Sequence, residues 1–221
     1  MSAARPGNPV RPVPTVRTGH NHHPRRRGRP GYDLETLLET TVEVFNEKGF
    51  DGTSMEDLSH RLGISKSAIY HHVTSKDELL ELAVNRALDD LGEAMTHTQE
   101  LETTALARLE YLIRESVSVL VRRRPYVTLL LRVRGNTNEE RAALERRRAF
   151  DTYAAELVMA AAAEGAVRPD IDPRVTARLL FGMVNSLIDW VRPAGPEDVG
   201  RLGDAVWALA YDGMRSPRHT G

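Results

Sequence analysis

From Thr53 to Leu80 the chain reads TSMEDLSHRLGISKSAIYHHVTSKDELL, and few folds accept this stretch. Met55, Leu58 and Leu62 recur at helical spacing. Thr53 stands where it can cap this helix, with Glu56 three residues on as its capping-box partner. Gly63 supplies a left-handed residue that ends the helix. Ser65 can cap a second helix over Lys66 to about His72, with Ala68 and Ile69 inward. Lys66, Ser67, Tyr70 and His71 are left facing out. Ser75 then caps a third helix, and Glu78 closes a second capping box.

Two short helices about a Gly-containing turn have two readings. One is an ordinary helical hairpin. The other is a helix-turn-helix, whose second helix enters the DNA major groove. The outward side chains suit the second. Lys66 can reach a guanine edge or a phosphate, and Ser67 is short enough to let the helix approach the bases. Tyr70, His72 and Lys76 are groups of the kind that bond phosphate oxygens.

The stretch resembles the DNA-binding domain of the TetR family of bacterial transcription regulators. The residues that carry the resemblance are Thr53-Ser54, the apolar run Met55 to Leu62, Gly63-Ile64-Ser65, Ile69-Tyr70, Tyr70-His71-His72-Val73 and Lys76-Asp77. Upstream, Phe45, Gly49, Phe50 and Gly52 match the family's entry to the first of these helices. Two positions depart: Val73 replaces an aromatic residue, and Ser67 stands where Gly is common. Carried over residue by residue, the resemblance implies DNA contacts at Thr53, Ser54, Ser65, Lys66, Ser67, Tyr70, His71, His72 and Lys76. It covers residues from about Leu34 to Leu80.

Charge is distributed to match. The net charge of the 221 residues is −1, but residues 1–31 carry seven Arg and no acid, +7, leaving 23 basic and 31 acidic residues, −8. DNA affinity must therefore come from a local basic surface and from the arm. Rich in Pro and Gly and without apolar periodicity, residues 1–31 read as a disordered basic arm. Within it Arg27-Gly28-Arg29-Pro30 resembles an AT-hook, with Arg27 and Arg29 placed to enter a narrow A·T minor groove. The other reading is a solvated tail that attracts DNA without regard to sequence. The cluster His20-Asn21-His22-His23 could bind a transition metal, but as unstructured sequence it has no preset geometry, and no metal site is expected there.

The rest reads as all-α. A helix from Asp33 to about Lys48 completes a three-helix head over residues 32–80. A body of about six helices follows over 81–215, then a flexible tail, 216–221. No alternating β-branched run suggests a strand. No Cys, metal-ligand set, phosphate loop or catalytic constellation is present in the sequence, so no enzyme, metal or cofactor is expected. No apolar run approaches a membrane span, and no secretory signal opens the chain, which predicts a cytoplasmic protein.

The last two helices are apolar around most of their circumference. Either they are buried within one subunit, or a homodimer interface covers them; the family resemblance implies the latter. The run from Val167 to Pro193 resembles a form seen in regulators of acyl-CoA catabolism within that family. The resemblance also implies a small-molecule pocket in the body. Candidates to line it are Leu109, Ile113, Val117, Phe150, Tyr153, Met159, Phe181 and Met183, with Asn185 as a polar anchor. Such a stripe is more often plain core. Arg146, Arg147 and Arg148 could grip the phosphates of an acyl-CoA thioester. They could also form a solvated face, with Arg147 and Asp151 an i, i+4 ion pair.

The expected function is a homodimeric repressor bound to a palindromic double-stranded operator and released by a small hydrophobic effector, an acyl-CoA thioester among the candidates. The competing expectation is an architectural DNA-binding protein with no effector.

Overall fold

The computed structural model describes residues 33–192 and 195–215. The expected basic arm, with Arg27 and Arg29, and the expected tail, 216–221, lie outside the described residues. Among those residues the fold is all-α, with nine helices and a single isolated β-bridge between Val167 and Arg215.

Helix α1 (Leu34–Lys48) starts at Asp33, whose side chain accepts the Thr36 N–H at 2.9 Å. Helix α2 (Met55–Leu62) is capped one residue later than the sequence suggests. Ser54, not Thr53, is the N-cap, and Asp57, not Glu56, closes the capping box. The segment T-S-M-E-D satisfies the capping pattern in two registers. Burial decides between them: the Thr53 side chain is inside the head, and its hydroxyl donates to the Gly49 carbonyl at 2.7 Å. Gly63 ends α2 at φ 66°, ψ 28°, a left-handed conformation that costs glycine nothing. Helix α3 (Lys66–Ile69) is a single turn capped by Ser65, shorter than expected. Helix α4 (Lys76–Glu100) starts at Ser75. The Glu78 carboxylate reaches past that cap to the Thr74 N–H at 2.5 Å. Phe45, Leu58, Ile69, Leu79 and Leu80 fill the core of this head.

The body is built on α4 and five further helices: α5 (Ala105–Arg122), α6 (Arg124–Arg132), α7 (Asn138–Ala163), α8 (Pro173–Trp190) and α9 (Pro196–Met214). Helix α5 runs through the centre and packs against α4, α7, α8 and α9. Its Leu109, Leu112, Ile113 and Val117 are fully buried. Glu164 at the end of α7 accepts the Ala105 N–H at 3.0 Å, which places a carboxylate on the positive end of α5. The buried Glu140 carboxylate accepts the N–H groups of Arg134, Gly135 and Asn136 and so fixes the turn between α6 and α7.

Besides the packing of α1 on α4 and α6, three polar contacts join head to body. Arg86 of α4 pairs with Glu35 of α1. The Asn46 side chain donates to the Pro125 carbonyl at 2.8 Å, and Arg132 donates to the Asn46 carbonyl at 2.5 Å. Helix α1 is thereby tied to both α4 and α6. None of the helices formed by the described residues is long and apolar enough to cross a membrane.

Candidate DNA-contacting surface and effector cavity

The short helix α3 presents most of the DNA-contact candidates. Ser65, Lys66, Ser67, His71 and His72 are exposed, and Tyr70 is 50 % exposed. Ser65 spends its hydroxyl oxygen on the Ala68 N–H at 3.2 Å. Lys66 is paired with Glu56 of α2, so a DNA phosphate would have to compete with that carboxylate. Ser54 is exposed and engaged in its cap. Lys48 holds the Asp57 side of the same cap at 2.5 Å. The Lys48 contact, then the Ser54 side-chain and backbone contacts, hold the Asp57 carboxyl far below the usual carboxylate range.

Two expected contacts turn inward instead. Thr53 is buried, as described above. The Lys76 ammonium donates to the carbonyls of Phe50 at 2.8 Å and Thr53 at 2.9 Å. It also stands 4.2 Å from the centre of the Phe50 ring, a cation–π contact. Lys76 thus ties the start of α4 to the α1–α2 loop. The Lys-acidic pair at this place in the sequence marked a charge without showing which way it turned.

The body holds a small, partly open cavity between α4, α5, α6, α7 and α8, with about 60 Å³ open to a water-sized molecule. Leu88 and Leu91 of α4, Val119 and Leu120 of α5, and Val127, Leu130 and Leu131 of α6 make its apolar wall. Phe150 and Phe181 meet edge to face across it, with ring centres 5.0 Å apart. Its polar lining is Ser116, Arg147, Asp151 and Asn185. Ser116 donates back to the Leu112 carbonyl, as helical serines commonly do.

Of the expected pocket residues, Arg147, Phe150, Phe181 and Asn185 line this cavity. Leu109, Ile113 and Val117 do not; they form the fully buried row of α5, and the cavity meets the next row, Ser116, Val119 and Leu120. The Tyr153 hydroxyl is 2.7 Å from the Thr98 hydroxyl and knits α7 to α4. Met183 packs half-buried against the core, and Met159 is 58 % exposed. Arg146 is committed to Asn85 and Asp89 of α4, each at 2.7 Å, and Arg148 is exposed. Consecutive residues of a helix point about 100° apart, so a run of three arginines cannot face one ligand. Arg122 and Arg123 pair with Asp90, and Arg124 donates to the Ile188 carbonyl. The wall from α4 and α6 was missed, although the apolar run from Tyr126 to Val133 was a visible signal for half of it.

A one-turn helix exposed beside a Gly63 turn, set on a helical body with an internal cavity, agrees with the comparisons. The family described as "Bacterial regulatory proteins, tetR family" matches residues 37–83, and the "Tetracyclin repressor-like, C-terminal domain" matches residues 102–214. The chain belongs to the TetR family.

It is therefore a DNA-binding transcription regulator with a helix-turn-helix head. Among solved structures of TetR-family proteins, SCO3833 from Streptomyces coelicolor A3 is 52 % identical, with a TM-score of 0.76 over 84 % of this chain and 94 % of that one. The transcriptional repressor KstR2 of Rhodococcus jostii is 25 % identical over 87 % of this chain and 95 % of its own. AibR, solved in complex with isovaleryl coenzyme A and operator DNA, is 25 % identical with a TM-score of 0.67, over 79 % of this chain and 96 % of that one.

Proposed function

We propose that the chain is a homodimeric repressor whose cavity binds a small hydrophobic effector and, on binding it, releases a palindromic operator. Residues 32–80 would carry the DNA contacts and residues 81–215 the effector and dimer contacts. The observation that carries this reading is the double use of α4 and α6. Both wall the cavity, and both hold α1 of the head, through Arg86–Glu35 and through the Asn46 contacts. A ligand that wedges α6 or α4 outward must move the head. Release follows if the effector binds the displaced state better than the operator-competent one. The effector-free architectural alternative gives no use to an apolar cavity placed against those two helices.

The dimer is supported by one exposed apolar stripe. Leu179 of α8 is 65 % exposed, Trp190 at its end 64 %, and Leu209 of α9 71 %. Large apolar groups in such number need a cover, and a two-fold contact provides it. Two heads held this way would read half-sites one helical turn apart. The chain would work in the cytoplasm, where operator DNA is.

An acyl-CoA effector has one specific support, the likeness to AibR with isovaleryl coenzyme A bound. Here Arg148, exposed on α7 and outside the α4 contacts that hold Arg146, is the cation of that run left to a CoA phosphate. The test is fluorescence anisotropy of a labelled palindrome, itself recovered by selection from random duplex DNA. The proposal expects two protomers per duplex and release by an apolar ligand of the cavity. Retention of the duplex under every ligand that binds the body would leave the architectural reading.

A further inference from the structure

The cavity is lined mostly by apolar side chains, and its charged and amide groups all come from α7 and α8. Asp151 and Arg147 lie one helical turn apart on α7, with Asn185 on α8. The expected ion pair between the first two does not form. Arg147 instead reaches the Leu130 carbonyl at a marginal 3.4 Å, which leaves most of its five donors unused. Asp151 makes no hydrogen bond or close ion pair with any described residue, and neither does the Asn185 side chain. Asp151 and Asn185, with no protein partner, and Arg147, with one long hydrogen bond, meet solvent beside an apolar lining and offer a ligand head groups to bond.

Their chemistry restricts that ligand. An ionised carboxylate only accepts hydrogen bonds, and a guanidinium only donates them. The ligand group facing Asp151 must donate, and the group facing Arg147 must accept. Residues four apart in a helix are separated by about 6 Å along its axis, so both groups belong to one compact head. A simple carboxylate satisfies Arg147 but sets two anions together at Asp151. An amine satisfies Asp151 but repels Arg147. We propose that the effector is an apolar chain ending in a hydroxyl beside a carbonyl, a β-hydroxyacyl group, with the hydroxyl on Asp151, the carbonyl oxygen on Arg147 and Asn185 bridging. This rests on the effector reading of the cavity. Burial against the cavity wall pushes the Asp151 carboxyl above its ordinary value, although the residue's outer side reaches solvent; Arg147 and then Arg178 of α8 pull it back down. A carboxylate partly stripped of water is the one that gains most from a ligand hydroxyl. The same head occurs in free β-hydroxy acids and in their CoA thioesters, so the two sources must be separated by experiment.

The experiment is calorimetric binding to the full-length protein without DNA, using β-hydroxyoctanoate, octanoate, β-hydroxyoctanoyl-CoA and octanoyl-CoA. The proposal expects the hydroxylated member of at least one pair to bind about tenfold tighter or more, as sites built to bond a hydroxyl discriminate. If only the free acid shows it, the source is the acid; if only the thioester, the source is CoA chemistry. Asp151→Ala should abolish the preference while keeping affinity for the chain lacking the hydroxyl, and Arg147→Ala should weaken both members of the pair. Equal binding of both members by the unaltered protein, a preference that survives Asp151→Ala, or no binding of any probe would overturn the proposal. The same four probes are then added to protein on its operator. Release by octanoate or its thioester as readily as by the hydroxylated form sinks the hydroxyl assignment and leaves the effector reading intact. Tight binding of a probe without release sinks the effector reading instead.

Discussion

Lys76 donates two hydrogen bonds into the α1–α2 loop, and that determines what its loss should do. Lys76→Ala should destabilise the head by about 1–2 kcal/mol, the range for charge-assisted bonds that are only half-buried. The salt dependence of operator binding should then change by less than the roughly one unit expected of a lost phosphate contact. Urea unfolding and a salt titration separate the two. Tyr70→Ala should do the reverse, weakening operator binding with a smaller loss of stability, because the residue is half exposed. Asp57 supplies a pH test. Its folded carboxyl is held below the ordinary aspartate value, so its contribution is complete above the unfolded pKa and is lost as pH falls through the folded one. Melting temperatures followed from neutral pH to below about 4 should fall more steeply for the unaltered protein than for Asp57→Asn. Single residues are also where the sequence was least legible. Thr53 and Ser54 both fit a capping pattern, and only burial shows that the first belongs to the core. Lys66 and Lys76 look alike in the sequence, yet one pairs with Glu56 on the surface and the other with loop carbonyls.

Helix α6 carries the coupling at the next scale. Its Val127, Leu130 and Leu131 wall the cavity, while its two ends hold Asn46 of α1. Asn46→Ala removes the side-chain half of that latch without touching the cavity. Coupling between sites is typically worth about 5- to 150-fold. The effector-induced drop in operator affinity should therefore shrink by about fivefold or more, with effector affinity in the absence of DNA unchanged; anisotropy and calorimetry read the two numbers. The start and end of most helices were legible, because Gly49, Gly63, Gly165 and Pro173 stop or start them by backbone geometry alone. The cavity was legible only in part. Phe150, Phe181, Arg147 and Asn185 were found, but Leu109, Ile113 and Val117 sit one helical row away from it. An apolar periodicity gives the buried face of a helix and does not say which edge of that face meets empty space. The arginine runs misled for a related reason, since neighbours in sequence point to different helices: Arg146 to α4 and Arg147 to the cavity.

At the scale of the whole molecule the account needs two copies. Leu179→Glu together with Leu209→Glu places charges on the exposed apolar stripe and leaves the subunit core alone. Light scattering should then report a folded monomer, and operator affinity should collapse, because each head alone reads a single half-site. The arm contributes charge: deletion of residues 1–31 removes seven arginines and should lower the salt dependence of binding while the preferred palindrome is kept. The helical class and the head were legible from capping boxes and Gly-ended helices. The proposed partner surface rests on the excess of apolar residues on the last two helices, of which three-dimensional packing turns Leu180 and Phe181 inward and leaves Leu179 exposed.

The central claim is that one cavity, walled by the helices that hold the head, governs DNA binding. It is tested most directly by anisotropy of a labelled operator titrated with effector, comparing the unaltered protein with Phe150→Ala, which removes half of the aromatic pair inside the cavity. The account predicts that both bind the free operator with equal affinity and that the variant needs about tenfold more effector, or more, for release, the order expected when a buried aromatic contact is lost. Release of both at the same effector concentration would place the controlling site elsewhere and contradict the account.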